Sequence, residues 1–168
     1  DRISVYPVFE SFDISEVNRL RPEPLREPRF VLDVHLGKLC KYLRMMGFDT
    51  IYRNDLDDVE IVEISVKENR IILTRDIGIL KNGLVTHGYW LRSQDSREQL
   101  KEVIRRFQLK AEVRPFYRCT VCNGFIRPVN KADIVDFLPD QTKKYFDAFF
   151  RCTSCKKIYW EGTHYESM

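Results

Sequence analysis

No stretch of these 168 residues approaches the roughly 18–20 uninterrupted apolar side chains that a bilayer crossing needs. No charged start leads into an apolar secretory segment either, so neither a membrane span nor a signal peptide is read here. Low-complexity tracts are missing too. The content is 43% hydrophobic and 32% charged, which suits an ordinary globular protein. A large excess of one charge sign is also lacking, the formal net charge being +3. A polyanion would have to be met by local clustering of basic groups rather than by overall excess. Histidine occurs only three times, and no histidine pair or activated serine is placed to suggest metal-free hydrolysis.

The length allows one full domain with a small companion. Residues 3–9 (ISVYPVF) read as a short edge strand interrupted by Pro7. RLRPEPLREP, with Pro22, Pro24 and Pro28 among charges, reads as a stiff, extended linker. Residues 1–28 are accordingly read as the remnant of an upstream domain plus a tether, in a chain that begins on Asp rather than Met.

From Arg29 onward short apolar strands alternate with amphipathic helices. RFVLD is a strand, and Leu36, Leu39, Cys40, Leu43 and Met46 follow at helical spacing, with Gly47 as the stop. FDTIYRN is a second strand. DLDDVEIVEISVKENR is a helix with an acidic start, whose buried face is predicted at Val59, Val62 and Val66. RIILTRD is a third strand and NGLVTHGYWLRS holds a fourth. Ser96 and Gln99 suggest a capping box for a last helix, with Leu100, Val103, Ile104 and Phe107 as its apolar stripe. Such alternation predicts a three-layer α/β fold around a parallel sheet over residues 29–110.

Residues 111–168 differ. FYRCTVCNGF and FFRCTSCKKIYW are near-repeats flanking a helix-prone insert, KADIVDFLPDQTKKYFDAF. Two residues between cysteines let a tight turn aim both sulfurs inward, so Cys119, Cys122, Cys152 and Cys155 are expected to complete a closed, structural Zn²⁺ tetrahedron. A redox dithiol or two disulfides are the alternatives, but a thioredoxin-like motif would occur once and open a helix. Four zinc-bound thiolates would lower the net charge to +1. The pattern fits a reducing compartment, and a cytoplasmic location is expected. Cys40 reads as a core residue, and His164 as a packing or hydrogen-bonding one.

Two core strands end in an aspartate, Asp33 and Asp76. In an open parallel sheet ligands bind beyond the carboxyl ends of the strands. Asp57 and Asp58 start a helix at the same rim, and Asp95 follows the fourth strand. Crowded carboxylates repel one another, and a hard cation such as Mg²⁺ or Mn²⁺ removes that cost while gripping phosphate oxygens. Taken singly these residues are also explained as helix caps, Asp57 and Asp58 especially, and Asp76 could cap the turn IGIL or pair with Arg75. Lys38, Lys41 and Arg44 recur every three residues on the predicted exposed side of the first helix, and Arg75 adjoins Asp76. They are candidate phosphate contacts for a nucleic-acid strand. Tyr117, Arg118, Arg127, Arg151 and Lys156 would extend that track over the cysteine region.

DVHLGKLCKYLRMMGFDT, the DDVEIVEI helix, RIILTRD, both Cys-x-x-Cys knuckles and the ending YWEGTHYESM together resemble a PIN-like ribonuclease domain with a C-terminal zinc ribbon. The module was first named from the C-terminal region of the Mut-seven exonuclease. The resemblance covers residues 29–168. It implies an Mg²⁺- or Mn²⁺-dependent endoribonuclease acting on RNA, with acidic residues matching Asp33, Asp58 (or Asp57) and Asp76 and with Asp95 in the place of a further acid. Members often carry a ubiquitin-like domain in front, which residues 1–20 would continue. Two alternatives remain: a non-catalytic RNA- or protein-binding module on the same scaffold, and an aspartate phosphotransferase. The second lacks an acid two residues after Asp33, where His35 stands.

Overall fold

The computed structural model describes residues 27–161, so the predicted N-terminal strand, most of the linker and His164 lie outside the described residues. Four strands, β1 (Phe30–Leu32), β2 (Thr50–Ile51), β3 (Ile71–Thr74) and β4 (Gly88–Trp90), form an all-parallel sheet in the order β2-β1-β3-β4. The described residues include five helices, α1 (Gly37–Met45), α2 (Asp58–Glu68), α3 (Ile77–Leu80), α4 (Ser96–Arg106) and α5 (Asp140–Tyr145), with short 3-10 turns between elements.

The central strands β1 and β3 are buried on both faces, as expected when the connections of a parallel sheet cross over it. Alternate residues of β1 and β3 enter two different cores. Phe30, Leu32, Ile71 and Leu73 pack with Leu39, Leu43 and Val103 under α1 and α4. Val31 and Ile72 pack with Leu56, Ile61, Val62 and Ile79 under α2 and α3. Each of these side chains contributes roughly 1.5–3 kcal/mol by leaving water. The three-layer α/β expectation is met.

Two local expectations are corrected. The buried face of α2 is Ile61, Val62 and Ser65, while Val59 and Val66 are exposed. Apolar residues surround this helix on nearly all sides, so spacing alone did not choose the face. The N-cap of α4 is Asp95, whose Oδ1 accepts from the amides of Arg97 and Glu98, rather than Ser96 with Gln99. Aspartate is as good a cap as serine, and one residue of register separates the two readings.

After α4 the chain continues to pack on the first core through Leu109 and Val113. It then forms an antiparallel sheet in the order β5-β6-β7, from β5 (Ile126–Val129), β6 (Phe149–Cys152) and β7 (Ile158–Trp160). The predicted helical insert is two 3-10 turns followed by α5.

The two sheets are joined by specific polar contacts. Asp49 is the hub: it accepts from Arg70 at 2.7 Å, from Asn123 at 2.8 Å and from Arg118 at 3.1 Å. Burial alone raises its carboxyl, but the hydrogen bonds from Arg70 and Asn123, with the charges of Arg70 and Arg118, outweigh that and hold it below the ordinary range. Asn123 also accepts from the Thr50 amide at 3.1 Å, tying the cysteine region to the N-terminal end of β2. Gly47 closes α1 at φ +93°, where an added Cβ would strike the Arg114 carbonyl.

Candidate active site and zinc centre

The parallel register sets Leu32 opposite Leu73, so Asp33 and Thr74 leave the sheet side by side. Asp33 occupies the N-cap position of a 3-10 turn (Val34–Leu36), yet its side chain does not cap that turn. Instead Asp33 Oδ2 accepts from the Thr74 hydroxyl at 2.9 Å, and Thr74 Oγ1 accepts from the Asp76 amide at 2.8 Å. One buried threonine thereby fixes both strand-end aspartates. Asp33 itself is only 6% exposed, while Asp76 is exposed and uses Oδ1 to accept from the Gly78 amide at 2.6 Å.

Asp57 and Asp58 divide their labour. Asp57 is the N-cap of α2 and forms a reciprocal capping box with Glu60, the role the simpler reading assigned it. Asp58, the first residue of α2, is exposed and feels the other acids. Its carboxyl is held above the ordinary aspartate range, first by loss of water and then by the charges of Asp76, Asp33 and Asp57. Residues from β1, α2 and the end of β3 thus share one electrostatic neighbourhood. If so, Asp33→Asn or Asp76→Asn lowers the Asp58 pKa toward its usual value. A carboxyl-carbon NMR titration without added divalent ion measures this, and an unmoved midpoint would separate the three groups.

Carboxylate oxygens are the hard donors that Mg²⁺ or Mn²⁺ takes, and Asp33, Asp58 and Asp76 are of that kind. They stand wider apart than the thiols: among the described residues, only the four cysteines bring three or more metal-capable atoms within 4.8 Å of one another. Asp95 is placed differently. It caps α4, its carboxyl held below the ordinary range by the Glu98 amide above all, and it borders the neighbouring cleft.

That cleft, about 1190 Å³, runs between α1 and the cysteine region. Lys38, Lys41 and Arg75 line it from the parallel sheet's side, and Lys157 with the Thr120–Val121 backbone from the other. Lys38 and Lys41 are exposed, as expected, but Arg44 is buried and does not join their row. Its Nε donates to the Thr50 carbonyl at 2.9 Å and its Nη1 to the Val121 carbonyl at 2.8 Å. Arg118 is likewise engaged by Asp49 and lies 4.3 Å over the Phe125 ring. Both arginines join the two sheets, a tertiary role with no local sequence signature. Thr74 and Asp49 were also unassigned; for Thr74 the signal was available, since an apolar run ending Thr-Arg-Asp beside Leu-Asp sets it against Asp33 in a parallel pair.

The cysteines meet as predicted. Sγ atoms of Cys119 and Cys155 are 3.5 Å apart, as are those of Cys122 and Cys152. A zinc tetrahedron with Zn–S near 2.3 Å has edges of about 3.8 Å, so the set fits the ion with little adjustment. Both knuckles make the same turn, with the residue after the second cysteine left-handed: Asn123 and Lys156 each have φ 64°. Burial raises the Cys119 thiol, but hydrogen bonding from the Tyr159 hydroxyl and nearby amides overrides it and brings the group to about 6, toward the thiolate a metal needs. Burial first, then contact with the other sulfurs, pushes Cys155 up to about 12, so without metal the set retains protons. Cys40 is buried in the first core, and burial raises its thiol to about 11, an inert packing residue as expected.

Fold and site define the class: an α/β domain with acids at the carboxyl ends of parallel strands, carrying a four-cysteine ribbon suited to zinc. The chain belongs to the Mut7-C RNase domain family, whose description, "Mut7-C RNAse domain", matches residues 28–168. No curated protein and no solved structure matches it. Among the described residues, no helix is long and apolar enough to cross a membrane.

Proposed function

We propose that this protein is a PIN-like endoribonuclease that hydrolyses RNA phosphodiester bonds with Mg²⁺ or Mn²⁺ held by Asp33, Asp58 and Asp76. The observation that supports it most is the shared electrostatic neighbourhood of these three carboxylates beside a basic cleft. Membership of an RNase domain family points the same way. A bound divalent ion would supply an activated water and a counter-charge for phosphate oxygens.

The chain's own groups do the rest. Thr74 holds Asp33 in place, and its hydrogen bond from the Asp76 amide fixes the spacing of the two acids. Lys38 and Arg75 offset negative charge that develops on the phosphate in the transition state. Lys41 and Lys157 hold the backbone on either side of the cleft, so the ribbon aids RNA binding while its zinc stays structural. Asp57 and Asp95 are flanking acids whose capping bonds keep the rim in shape. Residues 29–110 form the nuclease unit and 111–168 the ribbon with its insert. Free thiols in a zinc-suited set support a cytoplasmic location.

The test is a panel of structured and single-stranded RNAs, with DNA alongside, incubated with and without added Mg²⁺ or Mn²⁺. Internal RNA cuts that need the added ion are expected. Binding of RNA with no product on any substrate would instead establish the non-catalytic binding module. Omitting the ion is preferable to chelation, which would also strip the ribbon's zinc.

A further inference from the structure

Trp90 ends β4 with 40% of its surface exposed, whereas the apolar residues of the central strands β1 and β3 are almost wholly buried. The β3–β4 register pairs it with Thr74, the residue that holds Asp33, so the indole stands one strand away from the acidic rim. Its neighbour Tyr89 points the other way, into the core beneath α4. The ring is held in place. Its Nε1–H donates to the Arg75 carbonyl at 3.2 Å, and the Arg92 guanidinium lies 5.9 Å from its centre. That arginine sits at the outer limit of a cation–π contact, much farther than a stacked ring, so the indole remains accessible.

Arg75 links this ring to the cleft. The same residue that accepts the indole hydrogen bond lines the cleft with Lys38 and Lys41. A strand leaving the cleft past Arg75 would meet Trp90, whose indole is bonded to that residue's carbonyl. A fixed, exposed aromatic flanked by cations matches an unpaired nucleobase, which offers a flat π-face beside a negative backbone. Bases within a duplex are already stacked and cannot reach such a ring.

We propose that Trp90 is a base-stacking platform for a nucleotide next to the scissile phosphate, and that it directs the site to single-stranded RNA. The position of that phosphate rests on the nuclease reading above, but stacking itself requires no cleavage. The test therefore uses the full chain without added Mg²⁺ or Mn²⁺. Single-stranded RNA should quench indole emission in the unaltered protein, and the quenching should vanish in Trp90→Phe, which leaves Trp160 as the reporter. Trp90→Ala should bind single-stranded RNA about 5- to 150-fold more weakly, and Trp90→Phe should recover most of that loss. Binding to a strand lacking its bases should not change in either variant. Equal losses on RNA and on the baseless strand would make Trp90 a packing residue and overturn the inference, as would bound RNA with unaltered emission. If the unaltered protein binds no RNA without added ion, this inference falls, while the nuclease reading is decided separately by ion-dependent cleavage.

Discussion

Asp76→Asn should abolish metal-dependent RNA cleavage, with a loss of at least about a hundredfold, while the protein stays folded. The substitution separates charge from architecture. Asn keeps a carbonyl oxygen that can accept from the Gly78 amide, and it is as good an N-cap as Asp for α3. The backbone amide that meets Thr74 is untouched. What disappears is one negative charge from a group that already raises the Asp58 carboxyl. Without added divalent ion, relief of that repulsion should leave the melting temperature equal or slightly higher. Cleavage assays beside thermal melts check both halves. Full activity in the variant would remove Asp76 from the metal site, and a collapsed melt would mean that its role is structural.

Replacing Cys152 by Ser should cost the chain its zinc and unfold the ribbon. Cys152 lies in a small cluster with Cys119 and Ile126, and the same sheet has a second small cluster around Ile134, Leu138 and Phe149, little apolar surface to hold three short strands without the ion. Structural zinc contributes on the order of 10 kcal/mol or more to such modules. Metal analysis should find one zinc per chain in the unaltered protein and none in the variant. Amide signals of β5, β6 and β7 should collapse in the variant's NMR spectrum. A zinc-free variant that retains those signals would show that the apolar clusters suffice. RNA binding should weaken too, because Lys157 would no longer face Lys41 across the cleft.

How much was legible varied with how local the cause was. Apolar runs such as Ile71–Leu73 are strands because nothing else buries three consecutive residues on both faces, and they were read directly. The cysteine knuckles were equally plain, since their chemistry depends on spacing of a few residues. Asp33 and Asp76 were located at the rim by a general rule for parallel sheets, but the distinction between Asp57 and Asp58 was not available. It depends on which carboxyl is taken up by the capping box at the start of α2 and which is left to the field of the other acids. Arg44 misled for a related reason. Its helical spacing matches Lys38 and Lys41, but the Thr50 carbonyl and the docked first knuckle, which offers the Thr120 and Val121 carbonyls, hold it inside. Trp90 passed unnoticed because an aromatic at the end of an apolar strand looks like core until its neighbours are known.

The Asp49 hub carries a consequence for how this chain can be taken apart. Its carboxylate is met by Arg70 from the parallel sheet and by Arg118 and Asn123 from the ribbon, while Arg44 donates to Thr50 on one side and to the Thr120 and Val121 carbonyls of the knuckle on the other. The ribbon is therefore no detachable cassette. Excising it would leave a half-paired anion and a guanidinium with only the Thr50 carbonyl at the newly bared seam, and a ribbon transplanted from elsewhere would have to bring matching donors and acceptors with it.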